Sequence, residues 1–99
     1  EGAVMTSRKI NQLREEDMLK IEGLGSRRAK AGLIVLRKLY ELPIMNVRKV
    51  EEWTGLSRPA ANTLVRELVD LGVLVQRNRK TTYGRDFEYK QYLELFTKE

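Results

Sequence analysis

The stretch LSRPAANTLVRELVDLGVL, residues 56–74, decides how this chain folds. Ser57 is a good helix cap, because its hydroxyl takes up one of the backbone N–H groups left over in a first helical turn. Arg58 and Pro59 fall in that turn, where a missing N–H costs nothing since those donors have no intrahelical partner. From there a period of 3.6 sorts the side chains. Ala61, Leu64, Val65, Leu68 and Leu71 point one way, while Pro59, Thr63, Arg66 and Asp70 point the other, with Asn62 and Glu67 on the flanks. Gly72 supplies a stop, and Val73, Leu74 and Val75 supply an apolar strand.

Upstream, Asn46 is placed to cap a short helix, VRKVEEWT, with Val47, Val50 and Trp53 on one inward face and Gly55 closing it into a tight turn. Before it, Ser26 is expected to cap RRAKAGLIVLRKLYEL. There Ala29, Leu33, Leu36 and Tyr40 form a stripe that Ile34, Val35 and Leu39 widen, so this helix should be the most buried. Pro43 ends it, since the residue before a proline is steered out of the helical conformation. A first helix is expected from a Thr6 or Ser7 cap through Glu22, with Ile10, Leu13, Met18 and Ile21 apolar, and Gly23 and Gly25 break it.

Downstream, QRNRKTTYGRD is a polar basic loop, and Phe87 and Tyr89 alternate with Glu88 as on a returning strand. Tyr89, Tyr92, Leu93 and Phe96 then recur at helical spacing, so a last short helix should dock through them. The sum is a mainly α chain with a small β-hairpin. Its order predicts a winged helix-turn-helix with an extra N-terminal helix and a C-terminal helix, divided into residues 1–25 and 26–99.

Composition narrows the chemistry. A chain of 99 residues suits one core. Absence of Cys excludes disulfides and thiolate metal sites and fits a reducing, cytoplasmic setting. Absence of His removes the commonest general base and zinc ligand, so no catalytic residue, metal or cofactor is expected, nor a small-molecule substrate. No apolar run approaches the length of a membrane span. The chain starts at Glu1 without an initiator Met, which fits a piece of a longer protein.

The net charge of +5 is unevenly spread: residues 42–71 hold four basic and four acidic groups, against six and four in residues 72–99. The helix-turn-helix is itself neutral, so any attraction for phosphate lies beside it. On the helix, Ser57, Arg58, Asn62, Thr63 and Arg66 are the side-chain types that reach base edges or phosphates, and a solvated face explains them equally well. In the loop, Arg77, Arg79, Lys80 and Arg85 form a basic cluster opposed by Asp86, suited to lie along a phosphate backbone, with Thr81, Thr82 and Tyr83 as neutral contacts. Arg27, Arg28 and Lys30 oppose the dipole at their helix start, and a solvated basic turn is the plainer explanation. GLGSRR follows a helix and lacks the third glycine of a dinucleotide loop. Glu15, Glu16 and Asp17 are assigned to a solvated face, and Trp53, Phe87, Tyr89, Tyr92 and Phe96 to the core instead of a base-stacking platform.

Four pieces in order carry a family resemblance: LGSRRAK, then LYELPI, then GLSRPAANTLVRELVDLGVL, then an ending at Arg85, Phe87, Tyr89, Tyr92 and Leu93. The combination resembles the carboxy-terminal winged-helix portion of Fic-family proteins (filamentation induced by cAMP). The resemblance implies a parent that moves AMP from ATP to a hydroxyl side chain through a His-Pro-Phe-x-x-Gly-Asn-Gly-Arg loop, with residues 1–25 leading in from an upstream Fic domain. None of that loop is present here, and Tyr83 and Gly84 depart from the basic and polar pair expected before Arg85. Two functions stay open. One is a non-catalytic DNA-binding or regulatory module whose partner is double-stranded DNA. The other is a protein-interaction module that docks on its own Fic domain or pairs two chains as a homodimer.

Overall fold

The computed structural model describes residues 2–77 and 85–97, of which 2–6 and 97 are described by backbone alone. It is mainly helical with a small three-stranded antiparallel sheet. The elements are α1 (Gly2–Glu22), α2 (Ser26–Leu39), β1 (Ile44–Met45), α3 (Val47–Thr54), α4 (Arg58–Asp70), β2 (Val75–Gln76), β3 (Phe87–Glu88) and α5 (Lys90–Thr97). In the sheet β3 lies between β1 and β2, with Ile44 opposite Glu88, Met45 opposite Phe87, Val75 opposite Glu88 and Gln76 opposite Phe87.

The central helices form where their caps place them. Asn46 accepts from the Lys49 N–H at 3.0 Å, and Gly55 closes α3 in the left-handed region at φ 77°. Ser57 accepts from the Ala60 N–H at 3.4 Å and so starts α4. On α4, Ala61, Leu64, Val65 and Leu68 are buried, Leu71 is half-buried, and Pro59, Thr63, Arg66 and Asp70 are exposed. Helix α2 buries Ala29, Ala31, Gly32, Val35, Leu36 and Leu39, the largest buried set of any helix here.

Several expectations need correction. Ser26 does not cap α2: it is the first helical residue, and the cap is Gly25 at φ 100°, whose carbonyl accepts from Ala29 at 2.7 Å. The chain leaves α1 through a turn that requires positive φ there, and glycine adopts it without a Cβ clash. Helix α1 starts at Gly2, so Thr6 and Ser7 lie inside it. Val73 and Leu74 are not strand residues: with Gly72 at φ 85°, both donate back to the Leu68 carbonyl, at 2.9 and 3.2 Å, as in a left-handed helix stop. The strand is confined to Val75–Gln76, and β1 is an additional strand. Phe96 is 53% exposed, although α5 packs against α1 and the adjacent Leu95 is partly buried against the core.

Helix α1 is fastened to the rest. Leu13 and Ile21 enter the common core, and Ile21 is fully buried where α1 crosses α2. That crossing is close because residue 32 has no side chain: a Cβ there would stand 2.6 Å from Ile21 Cγ2. Gly32→Ala gains about 1 kcal/mol of helix propensity and loses about 1–3 kcal/mol to overpacking. The expected outcome is a net loss in urea melts, relieved by adding Ile21→Val. A Gly32→Ala chain more stable than wild type would show that the crossing has room to spare.

Candidate functional site

The exposed surface of α4 carries two stripes. Arg58, Asn62 and Arg66 follow one another at four-residue steps, so they line up along one side of the helix. Asn62 and Arg66 share a small open cleft of about 110 Å³ with Gln76 and Arg85, floored by Val65, Val69 and Phe87. The meeting of α4 with β2 and the chain entering β3 thus places two amides and two guanidinium groups at one opening. Thr63 lies on the other stripe, and its hydroxyl is turned back onto the Pro59 carbonyl at 3.0 Å. That stripe faces a second cleft, of about 200 Å³, lined by Arg27, Arg28, Ala31, Leu56, Ala60, Thr63, Leu64 and Glu67.

Three arginines around α4 are held by glutamates. Arg58 Nε donates to Glu51 Oε2 at 3.0 Å, Arg28 donates to Glu67 Oε2 at 2.6 Å, and Arg77 Nε stands 3.2 Å from Glu88 Oε1. The Arg77 N–H also donates to the Asp86 carbonyl at 2.8 Å, fixing the backbone at the base of the loop. Arg28 therefore does not sit in a merely solvated basic turn. Arg66 and Arg85 form no ion pair among the described residues. Arg79, Lys80, Thr81, Thr82, Tyr83 and Gly84 lie outside the described residues.

A polar cluster elsewhere was hidden in the sequence. Asp17 does not lie on a solvated face with Glu15 and Glu16: it is fully buried and accepts a hydrogen bond from the Tyr89 hydroxyl. Tyr89 in turn shares a 3.3 Å hydrogen bond with the Tyr40 hydroxyl, and Lys20 Nζ stands 3.6 Å from Asp17 Oδ1. Arg14 covers the Tyr40 ring at 5.4 Å, and Tyr40, Tyr89 and Tyr92 pack ring against ring at 5.0–5.7 Å. This cluster ties α1 to the end of α2 and the start of α5. Nothing in the local pattern EED marks Asp17 as different; its partner is 72 residues away.

Burial pushes the Tyr89 hydroxyl well above its ordinary value, and its hydrogen bond to the Asp17 carboxylate adds to the rise. Burial also raises Tyr40. The sign of the consequence is fixed. Unfolded tyrosine ionises near 10.0 and the folded hydroxyls stay protonated above it, so their contribution is intact below that pH and is lost as pH rises beyond it. Urea melts at pH 8 and 11 should show the domain weakening at the higher pH, with a smaller loss in Tyr89→Phe. An equal loss in both proteins would clear the cluster of that role.

Among the described residues no helix is long and apolar enough to cross a membrane, and no group of three acidic, His or Cys residues is placed to hold a metal ion. No family model, curated protein or solved structure matches the chain.

Proposed function

We propose that this chain is a winged-helix module that binds double-stranded DNA, non-catalytic itself and serving a Fic-type protein. The observation that carries the proposal is the cleft shared by Asn62, Arg66 and Arg85, which joins the helix that would enter a major groove to the loop that would follow a phosphate backbone. The sheet order β1-β3-β2, with two helices joined by a short turn between β1 and β2, supports the winged-helix reading. Attachment to an upstream Fic domain rests on the resemblance of LGSRRAK, LYELPI and the ending at Arg85–Leu93. A complete Fic loop encoded ahead of Glu1 would support it, and its absence would remove it.

In this reading Arg66 and Asn62 address base edges, Arg85 with Arg79 and Lys80 addresses phosphate, and Ser57 and Thr63 border the groove. Titration of a mixed-sequence duplex at low salt tests it. Binding is expected, and Asn62→Ala or Arg66→Ala should alter preference among sequences by about 1–3 kcal/mol with little change in salt dependence. No binding at low salt would reject the reading. The alternative, docking on its own Fic domain or pairing of two chains, gains from the exposed Leu19 of α1, 71% accessible, and Phe96 of α5.

A further inference from the structure

We propose that Glu51, Glu67 and Glu88 are built-in competitors of phosphate: they occupy the arginines around α4 and hold the affinity of this surface for a duplex down. The inference rests on the DNA reading above and assigns its arginines to two classes.

The three ion pairs share one construction. In each the arginine is the exposed partner, 60%, 64% and 46% accessible for Arg28, Arg58 and Arg77, and the glutamate is mostly covered, at 21%, 25% and 23%. A mostly covered glutamate cannot swing clear of the surface, so the arginine tip stays beside a fixed negative charge. Carboxylate and phosphate oxygens use the same guanidinium donors. A duplex approaching α4 therefore meets three cations already matched by anions close to them, well inside a Debye length. Such pairs add little to the field that draws DNA in, and each exchange of carboxylate for phosphate leaves a glutamate behind. For Arg28 that exchange is hardest. Glu67 Oε1 is buried with no hydrogen-bond partner, so Arg28 is the group that compensates this carboxylate. Arg66 and Arg85, with no ion pair among the described residues, form the other class and keep their full charge for the duplex. Within the balanced segment 42–71 one such pair, Arg58–Glu51, closes on itself, while Glu67 of that segment is matched by Arg28 from outside it.

The test compares two triple variants that raise net charge equally. Glu51→Gln/Glu67→Gln/Glu88→Gln keeps side-chain size and an oxygen that accepts from each guanidinium while removing the competing charge. Glu15→Gln/Glu16→Gln/Glu22→Gln is the control, three exposed residues on α1, which packs against α2 and α5. Binding of a mixed-sequence duplex is measured by fluorescence anisotropy from 50 to 200 mM salt, and melts establish that each variant is folded. The first triple should bind more than tenfold tighter at low salt, with a slope of log affinity against log salt steeper by about 2.7, near 0.9 for each arginine released. The control should leave the slope where it was. Should the first triple fail to fold, Glu51→Gln alone reads the same effect as a slope change of about 0.9.

Equal gains in both triples would assign the effect to net charge and overturn the proposal. Weaker binding by the first triple would also overturn it, since the glutamates would then be positioning their arginines for phosphate. Binding by wild type with no change in the first triple sinks the competition and leaves DNA as the partner. Failure of wild type and triple alike to bind at low salt sinks both.

Discussion

Leu68→Ala is expected to lower the stability of the domain by about 2–5 kcal/mol, and Thr63→Ala, five residues earlier on the same helix, to stay within about 0.5 kcal/mol of wild type. Leu68 is fully buried, on the face of α4 that also carries Ala61, Leu64 and Val65 into the common core. Its backbone carbonyl also accepts from Val73 and Leu74, so the chain folds back over the same residue at the helix end. Truncation removes the burial of several methyl groups and leaves a cavity under a turn pinned by those two bonds, where collapse is restricted. Thr63 is exposed, and its hydroxyl only returns to the Pro59 carbonyl within the same helix. That bond competes with water and contributes little. Denaturant melts of the two variants decide the matter. Comparable losses would mean that the outward stripe of α4 bears packing of its own, and the assignment of Asn62, Thr63 and Arg66 to a free surface would fall with it.

The same helix shows what a sequence of this kind makes legible. The faces of α4, the Asn46 and Ser57 caps and the Gly55 and Gly72 stops follow from local rules, because each depends on neighbours within four or five residues. Strand β1 was not legible: two residues, Ile44 and Met45, carry no alternation, and they become a strand only because β3 arrives beside them. Val73 and Leu74 have the composition of a strand and are claimed by the helix stop before them. Gly25 took the cap expected of Ser26 because the turn required a positive φ, a constraint set by how α1 meets α2.

The site divides in the same way. That Arg66 faces outward with Asn62 on the flank was readable from spacing; that Arg85 lines one cleft with them was not, because it depends on where the sheet returns the chain beside α4. The arginine–glutamate pairs were invisible, since Arg28 and Glu67 are 39 residues apart and charge counts record only their sum. Asp17 was misassigned for a related reason. A carboxylate with two acidic neighbours is ordinarily solvated, and its burial is offset by the hydroxyl brought by Tyr89 together with the Lys20 ammonium.

Those pairs change what is expected of the basic loop. Counted from sequence, Arg77, Arg79, Lys80 and Arg85 offer four phosphate contacts and a slope of log affinity on log salt of roughly −3 to −4. With Arg77 matched by Glu88, Arg79, Lys80 and Arg85 remain as the proposed phosphate contacts, and their share of the slope falls to about −2.7. Replacing Arg79, Lys80 and Arg85 with Ala should therefore remove about 2.7 from the measured slope and abolish roughly fortyfold of the affinity change between 50 and 200 mM salt. The loss should be nearly the same on every duplex, because phosphate contacts position the protein and carry no sequence information. Adding Arg77→Ala to that triple tests the pairing from the other side. It removes a cation that was already balanced, so it should flatten the slope by much less than the 0.9 expected of a free contact. Anisotropy titrations of the wild type, the triple and the quadruple variant over one salt series measure all of these terms. A quadruple variant that flattens the slope by a full further contact would show that Arg77 leaves Glu88 for the duplex, and a triple variant with an unchanged slope would take the loop out of the interface altogether, leaving α4 to bind through Arg66 while Glu51 holds Arg58.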